Sequence, residues 1–323
     1  MSGTGSTYGG HGGTYSKSNA YFPPSGSLFA PEDLGMGGSS QGGGAIRLEV
    51  LGPVSHNGKI VCNANGPTYY TGTGGSVYII ANSISGTGTI SAAGGSISGC
   101  HSGGGGGRIA VKLTGAEADF SNYDIVNLTT TLPVYMNNGP NGVGTVYAET
   151  AADEPQHGWL IFKGDGNSRE SWGCAHYADP FAYDVSELKF AKITLTNNVM
   201  MLVYTGKTLD ISDTVIECAD ANASAVNGIA VLGSLATRSG AGSCQKINCR
   251  IDAYGDLGAE SEKLEFIGGG SFKVIGGKKV TCVGDVQMDS GSKLIIDGEL
   301  VVDGNLVMAG GATGGHTGEV QLG

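Results

Sequence analysis

The chain has 323 residues, of which 59 are glycine and only 9 are proline. Glycine at roughly 18%, against an ordinary share of about 7%, excludes collagen when proline is scarce and no strict triplet runs; 40% hydrophobic residues exclude a chain with nothing to bury. A net charge of −11 repels a phosphate backbone, and neither a polybasic patch nor a run of 18 apolar residues offers a membrane foothold, so neither nucleic acid nor membrane insertion is expected.

Residues 1–43 are of low complexity, with Gly9-Gly10-His11-Gly12-Gly13, Phe22-Pro23-Pro24 and the glycines before Gly44. Such a run has little to bury, and it is expected as an irregular cap or winding loop on the first repeat. The chain opens inside what reads as an already glycine-rich repeat, which predicts an excised segment of a larger protein whose leader lies elsewhere.

Residues 44–150 repeat. Gly44, Gly75, Gly107 and Gly144 each precede a strand, and the first two steps are 31 and 32 residues. Because side chains alternate across a strand, Ile46, Val77, Ile109 and Val146 are expected in one inward column, and Leu48, Ile79, Val111 and Ala148 in a second. Arg47, Tyr78 and Tyr147 are then expected to point outward. Companion strands are expected at Lys59–Ala64 and Thr89–Ala93, and the glycines 103–107 as a sharp corner where a Cβ would clash.

Residues 151–186 break the pattern, apart from one turn of helix that Thr150–Pro155 could hold. Both tryptophans, Trp159 and Trp172, lie here with His176, Tyr177 and Tyr183. Flat rings with polar handles suit the apolar faces of sugars, so these five residues are a candidate saccharide platform; the alternative is a local mini-core. The same window holds Asp165, Glu170, Asp179 and Asp184 with Arg169. They are the candidates if two carboxylates converge for glycoside chemistry, although no spacing motif ties them together and solvated loop carboxylates are the plainer reading.

Residues 187–323 return to a regular beat. Leu188 recurs at Leu209 after 21 residues and Ile193 at Val215 after 22, and 220–245 loosens into an expected excursion loop. Apolar bursts then begin at Leu264, Phe272, Val280, Val286, Leu294, Leu300 and Leu306, and every third returns after 22, 22, 20 and 20 residues. That is the spacing of three short strands per coil, with each coil stacked on the last. The expected fold is therefore all-β, a right-handed parallel β-helix of about 20–32 residues per rung, continuous through all four segments.

The seven cysteines are odd in number and irregular in spacing. Cys62, Cys218 and Cys282 read as small core residues within strands, and Cys244–Cys249 as the pair close enough for a disulfide or else part of a strand. His11, His101 and His316 sit among glycines far apart, so no metal site is expected. The acidic positions Asp210, Asp213, Glu217, Asp220, Asp285, Asp289, Asp297 and Asp303 read first as turn formers, with calcium as the other option, and no further cofactor is expected.

The blocks GGGAIRL (42–48), GGSVYIIANSISGTGTISAAGG (74–95), GGGGGRIAV (103–111) and GTVY (144–147) resemble glycine-rich extracellular β-helix repeat proteins of environmental bacteria. The likeness covers about residues 9–150, includes the His11 motif, and implies an exported repeat protein with no defined reaction or catalytic residues. The resulting expectation is a structural or adhesive segment, extracellular or at the cell surface, whose partners are polysaccharide or other surface proteins. A β-helical polysaccharide lyase or glycoside hydrolase is the alternative, and a viral tail spike or fibre a third.

Overall fold

A computed structural model describes residues 8–10, 24–38, 40–65, 68–95, 97–102, 104–131, 142–164, 176–181, 185–219, 227–236, 244–254, 263–316 and 318–322. The chain divides into two compact units, one of residues 1–183, 196–199 and 220–225, the other of residues 184–195, 200–219 and 226–323. Both are built from β-strands. The one helical element among the described residues is a 3-10 turn at Ile125–Asn127, and 151–156 forms turns, not helix.

The first unit holds β1 (Ala45–Ser55), β2 (Lys59–Val61), β3 (Thr68–Tyr70), β4 (Ser76–Ser85), β5 (Thr89–Ser91), β6 (Ile97–Ser102), β7 (Arg108–Leu113), β8 (Thr145–Glu149), β9 (Trp159–Lys163) and β10 (His176–Ala178). Strands β1, β4, β7 and β8 pair in parallel, and their register is the one the repeat predicts. Ile46 lies opposite Val77, Val77 opposite Ile109, and Ile109 opposite Val146; Leu48, Ile79, Val111 and Ala148 align in the same way. The companion strands β2 and β5 also pair in parallel, with Ile60 opposite Ile90. From β4 to β8 the two columns merge with Cys62, Ile84, Ile90, Tyr123, Ile125 and Leu128 in one buried cluster, but on β1 Leu48 only packs against its margin and Ile46 is 40% exposed, not inward as the repeat predicts. The parallel run ends at β8, since β9 pairs with it antiparallel, Val146 opposite Ile161.

Two expectations for this sheet need correction. Tyr78 and Tyr147 do not face water: they are 8% and 2% exposed. Residues 8–10 and 24–38 lie over that side of the sheet as a strap, so the segment is no mere cap on the first repeat. Phe29 meets the Tyr147 ring edge-on at 5.0 Å, Glu32 pairs with Arg47 at 2.6 Å, and Ser25 and Asp33 bond to Arg108 and Ser76. The strap thus touches all four parallel strands and buries the outward column from Tyr78 to Tyr147, while Arg47 on β1 stays half exposed as expected.

The glycines before the strands also act differently from a corner. None of Gly43, Gly44, Gly74, Gly75, Gly104, Gly106, Gly107 or Gly144 has positive φ. Their backbones lie against one another: a Cβ on Gly75 would sit 1.8 Å from Gly44 O, on Gly107 2.1 Å from Gly75 O, and on Gly144 2.0 Å from Gly107 O. Hydrogen bonds run through the same segments, for example from Gly74 N–H to Gly105 O and from Gly107 N–H to Ala92 O. Glycine is required because side chains would hold these backbones apart.

The second unit carries β11 (Glu187–Lys189), β12 (Lys192–Thr196), β13 (Val199–Val203), β14 (Thr208–Asp210), β15 (Val215–Ala219), β16 (Gly228–Val231), β17 (Ser234–Ala236), β18 (Cys244–Ile247), β19 (Arg250–Ala253), β20 (Lys263–Phe266), β21 (Ser271–Val274), β22 (Lys279–Val283), β23 (Asp285–Met288), β24 (Lys293–Ile296), β25 (Glu299–Asp303), β26 (Leu306–Met308), β27 (Thr313–His316) and β28 (Glu319–Leu322). The beat read from the tail is the observed register. Leu264 pairs with Val286 and Val286 with Leu306, Phe272 with Leu294, and Val280 with Leu300, all in parallel. Leu188 likewise pairs with Leu209. Strands β20, β21 and β23 alternate half-buried and buried residues, as expected where one face packs inward. The window 220–245 is no simple excursion, because β16 lies in parallel between β13 and β19 and β17 pairs with β14.

One cysteine pair also departs from expectation. Cys218 is not a free core residue; it is bonded to Cys249 at a Cα separation of 5.3 Å. The link follows the strand register. Ile216 lies opposite Ile247, and two residues further on Cys218 meets Cys249. Cys249 therefore does not pair with Cys244, which stands in β18. Cys62 and Cys282 are free and buried, as read from the strand pattern.

Candidate functional site

The strongest concentration of buried polar chemistry in the first unit lies between the strap and the sheet. Register places Ser76, Arg108 and Thr145 in one row across β4, β7 and β8. Arg108 is fully buried. Its Nε donates to Ser25 O at 3.0 Å and one terminal nitrogen donates to Thr145 Oγ1 at 3.2 Å, while Nη2 has no hydrogen-bond partner among the described residues. The guanidinium stands 6.0 Å from the centre of the Tyr8 ring, whose hydroxyl shares a 2.5 Å hydrogen bond with Ser76. Burial pulls the Arg108 pKa down to about 10, against the fields of Tyr8, Asp179 and Asp33. It remains a cation at neutral pH, and it fixes the strap by charge as well as by shape.

A second cluster closes the antiparallel turn between β8 and β9. Lys112 lies opposite Glu149, and the two form an ion pair. Tyr147 donates to Glu149 Oε2 at 2.6 Å, Gln156 N–H donates to the same oxygen at 2.8 Å, and Gly158 N–H donates to the Tyr147 hydroxyl at 3.0 Å. Burial alone would raise the Glu149 carboxyl, but the bonds from Lys112, Tyr147 and Gln156 outweigh it and hold the pKa below the ordinary value. Burial, and then the Glu149 carboxylate, push the Tyr147 phenol well up. These groups bond to one another and to the turn, the arrangement of a chain-positioning lock.

Trp159, on β9, is half-buried and packs against the first unit's hydrophobic cluster, opposite Ala148. His176 and Tyr177 stand on β10. Trp172, Tyr183, Asp165, Glu170, Asp184 and Arg169 lie outside the described residues. Asp179 is buried, accepts a 2.8 Å hydrogen bond from Phe181 N–H and faces the field of Arg108, so it serves as an internal counter-charge.

His101 stands on β6, His316 on β27, and His11 lies outside the described residues. Among the described residues no three His, Cys, Asp or Glu side chains gather as a metal-holding group. The acidic turn positions work locally: Asp210 accepts from Ser212 N–H, Asp285 from Asn305, Asp289 from Ser290 N–H, and Asp297 pairs with Lys273. Asp213 takes φ 59°, a conformation Asp tolerates in turns.

Sequence reasoning overlooked Arg108, Tyr8 and Glu149. A signal existed for two of them: the same register that aligns Ile109 with Val146 sets Arg108 beside Thr145 and Lys112 opposite Glu149. Tyr8 carried none, since it belongs to no repeat. Comparison with family models, with curated proteins and with solved structures finds no match to the chain.

Proposed function

We propose that the chain is a right-handed parallel β-helix acting as a structural, adhesive segment of an exported protein, one that holds extracellular polysaccharide. The observation that carries this reading is the shared register: consecutive repeats pair in parallel with apolar residue on apolar residue, in both units. Parallel strands joined by crossovers in one sheet are right-handed in about 98% of cases, which gives the coil its hand. No single repeat can bury its apolar side alone, so stacking supplies the core and leaves an extended surface outside. The Cys218–Cys249 bond supports an oxidising compartment. Among the described residues of the first unit, the buried Arg108 and Glu149 are engaged by the strap and by one turn, which favours a scaffold over a reaction centre.

The polysaccharide role rests on the aromatic window, and it is tested by a polysaccharide pull-down with Trp159→Ala and Trp172→Ala, each confirmed folded by circular dichroism. Retention of acidic or neutral glycans that falls roughly three- to tenfold in Trp172→Ala, the loss of one aromatic contact, supports the role. Absence of binding, or binding indifferent to both changes, removes it.

A further inference from the structure

A nucleophile and an electrophile meet in the first unit. Lys163 closes β9, on the face of that strand that carries the fully buried Ile161. Its Nζ donates to Asn127 Oδ1 at 2.5 Å, across 36 positions of sequence. Lys112, Lys192, Lys273 and Lys279 pair with carboxylates instead. A carboxylate only holds an ammonium, whereas an amide carbonyl carbon can be attacked by the amine it faces.

Asn127 is oriented for that attack. Its Nδ2 donates to Asp124 Oδ2, and its backbone N–H donates to Asp124 Oδ1 at 3.2 Å. A carboxylate only accepts and an ammonium only donates, so these two neighbours fix which end of the amide faces which. The carbonyl faces the lysine, and the amide nitrogen faces the acid. With a C=O length of about 1.23 Å, Nζ lies no more than about 3.7 Å from Asn127 Cγ. Reacting atoms about 3–3.5 Å apart are in near-attack range.

Both partners stand on firm supports. β9 pairs antiparallel with β8. The 3-10 turn Ile125–Asn127 is capped by Asp124 and anchors Ile125 in the core, and the chain beyond it is held by Thr129 N–H donating to Ile90 O at 3.0 Å. Burial lowers the Lys163 pKa, against the field of Asp124, so more neutral amine is present than on a solvated lysine. The same field places the Asp124 carboxylate near enough to act on Lys163 as well as on Asn127.

We propose that the chain cross-links itself: Lys163 Nζ attacks Asn127 Cγ and forms an amide bond, and Asn127 Nδ2 leaves as ammonia. Nζ gives up two protons in passing from ammonium to amide. Asp124 relays one to Nδ2 as the Cγ–Nδ2 bond breaks, and the released ammonia takes up the other. An ammonium and a primary amide thus become a secondary amide and an ammonium ion, and the step consumes no oxidant or co-reactant. Asp124 is catalytic here, because it touches the departing nitrogen. The product ties β9 to the 3-10 turn by a covalent bond. The step is independent of whether the surface holds polysaccharide.

The test is the intact mass of the reduced whole chain, followed by peptide mapping. Wild type is expected about 17 Da below its sequence mass, the loss of one ammonia, with residues 127 and 163 in one branched tryptic peptide uncut after Lys163. Lys163→Arg and Asn127→Ala are each expected at full sequence mass. Asp124→Asn keeps an oxygen for the cap of the turn and is expected to slow the loss roughly a hundredfold, leaving unlinked chain in the fresh preparation. A wild-type chain that stays at its sequence mass through prolonged incubation at neutral pH overturns the proposal. So does a loss of about 17 Da that persists in Lys163→Arg, the mark of an asparagine cyclised onto its own backbone. Loss at the wild-type rate in Asp124→Asn overturns the relay. The branched wild-type peptide, present or absent, decides the cross-link even where a variant fails to fold.

Discussion

Glu149 is only 3% exposed and holds three partners, so its carboxylate is worth more folded than unfolded. Its folded pKa lies below the ordinary value, so the stability it adds is present above about pH 4.3 and is lost as pH falls through the folded value. Glu149→Gln is expected to cost about 1–3 kcal/mol at neutral pH by chemical denaturation. The gap to wild type should narrow on acidification, and a gap that stays constant to pH 2 would place the effect in shape and not in charge. Cys282 offers a second residue-level test. Burial pushes its thiol up to about 12, and it and Cys62 should resist alkylation in the native protein and react only on unfolding, read by mass spectrometry. Arg108 and Glu149 were legible in part, because register alone predicts Lys112 opposite Glu149. Their burial was not, since it depends on a strap whose few apolar residues, Leu28 and Phe29 among them, follow no period.

At the scale of the element, glycine has two separable uses. Gly277 sits at φ 72° with open space around it, so Gly277→Ala costs only the strained backbone, about 1 kcal/mol. Gly75 has an ordinary φ but meets a carbonyl oxygen at 1.8 Å, so Gly75→Ala must push two strands apart and is expected to cost about 3 kcal/mol or more. Gly44→Ala, the same change one repeat earlier, should be nearly neutral. Thermal denaturation of the three variants checks the order; equal losses at Gly44 and Gly75 would refute the close-approach account. The strands themselves were the most legible part of the chain, because a period of two residues inside a period of 20 to 32 leaves one register that stacks apolar residue on apolar residue from repeat to repeat. The region 220–245 misled because Gly228, Ala230 and Ser234 are small and weakly patterned, yet β16 is held in parallel between β13 and β19, and β17 pairs in parallel with β14.

Over the whole molecule, stability comes from ladders that cross many repeats and from the one disulfide found among the described residues. The Cys218–Cys249 bond closes a loop of 31 residues, and in the chain-entropy account Cys218→Ser should cost about 3–4 kcal/mol. Reducing agent should lower the wild-type melting temperature and leave that of the variant unchanged. The central claim is that successive repeats lie side by side in the register Glu265 opposite Gln287, where Gln287 Nε2 already reaches Glu265 Oε1 at 3.3 Å. Cysteines placed at those two positions should join readily under mild oxidation, while Glu265→Cys with Asp285→Cys, two residues out of step, should remain reduced. Failure of the first pair to join, or preferential joining of the second, would contradict the account.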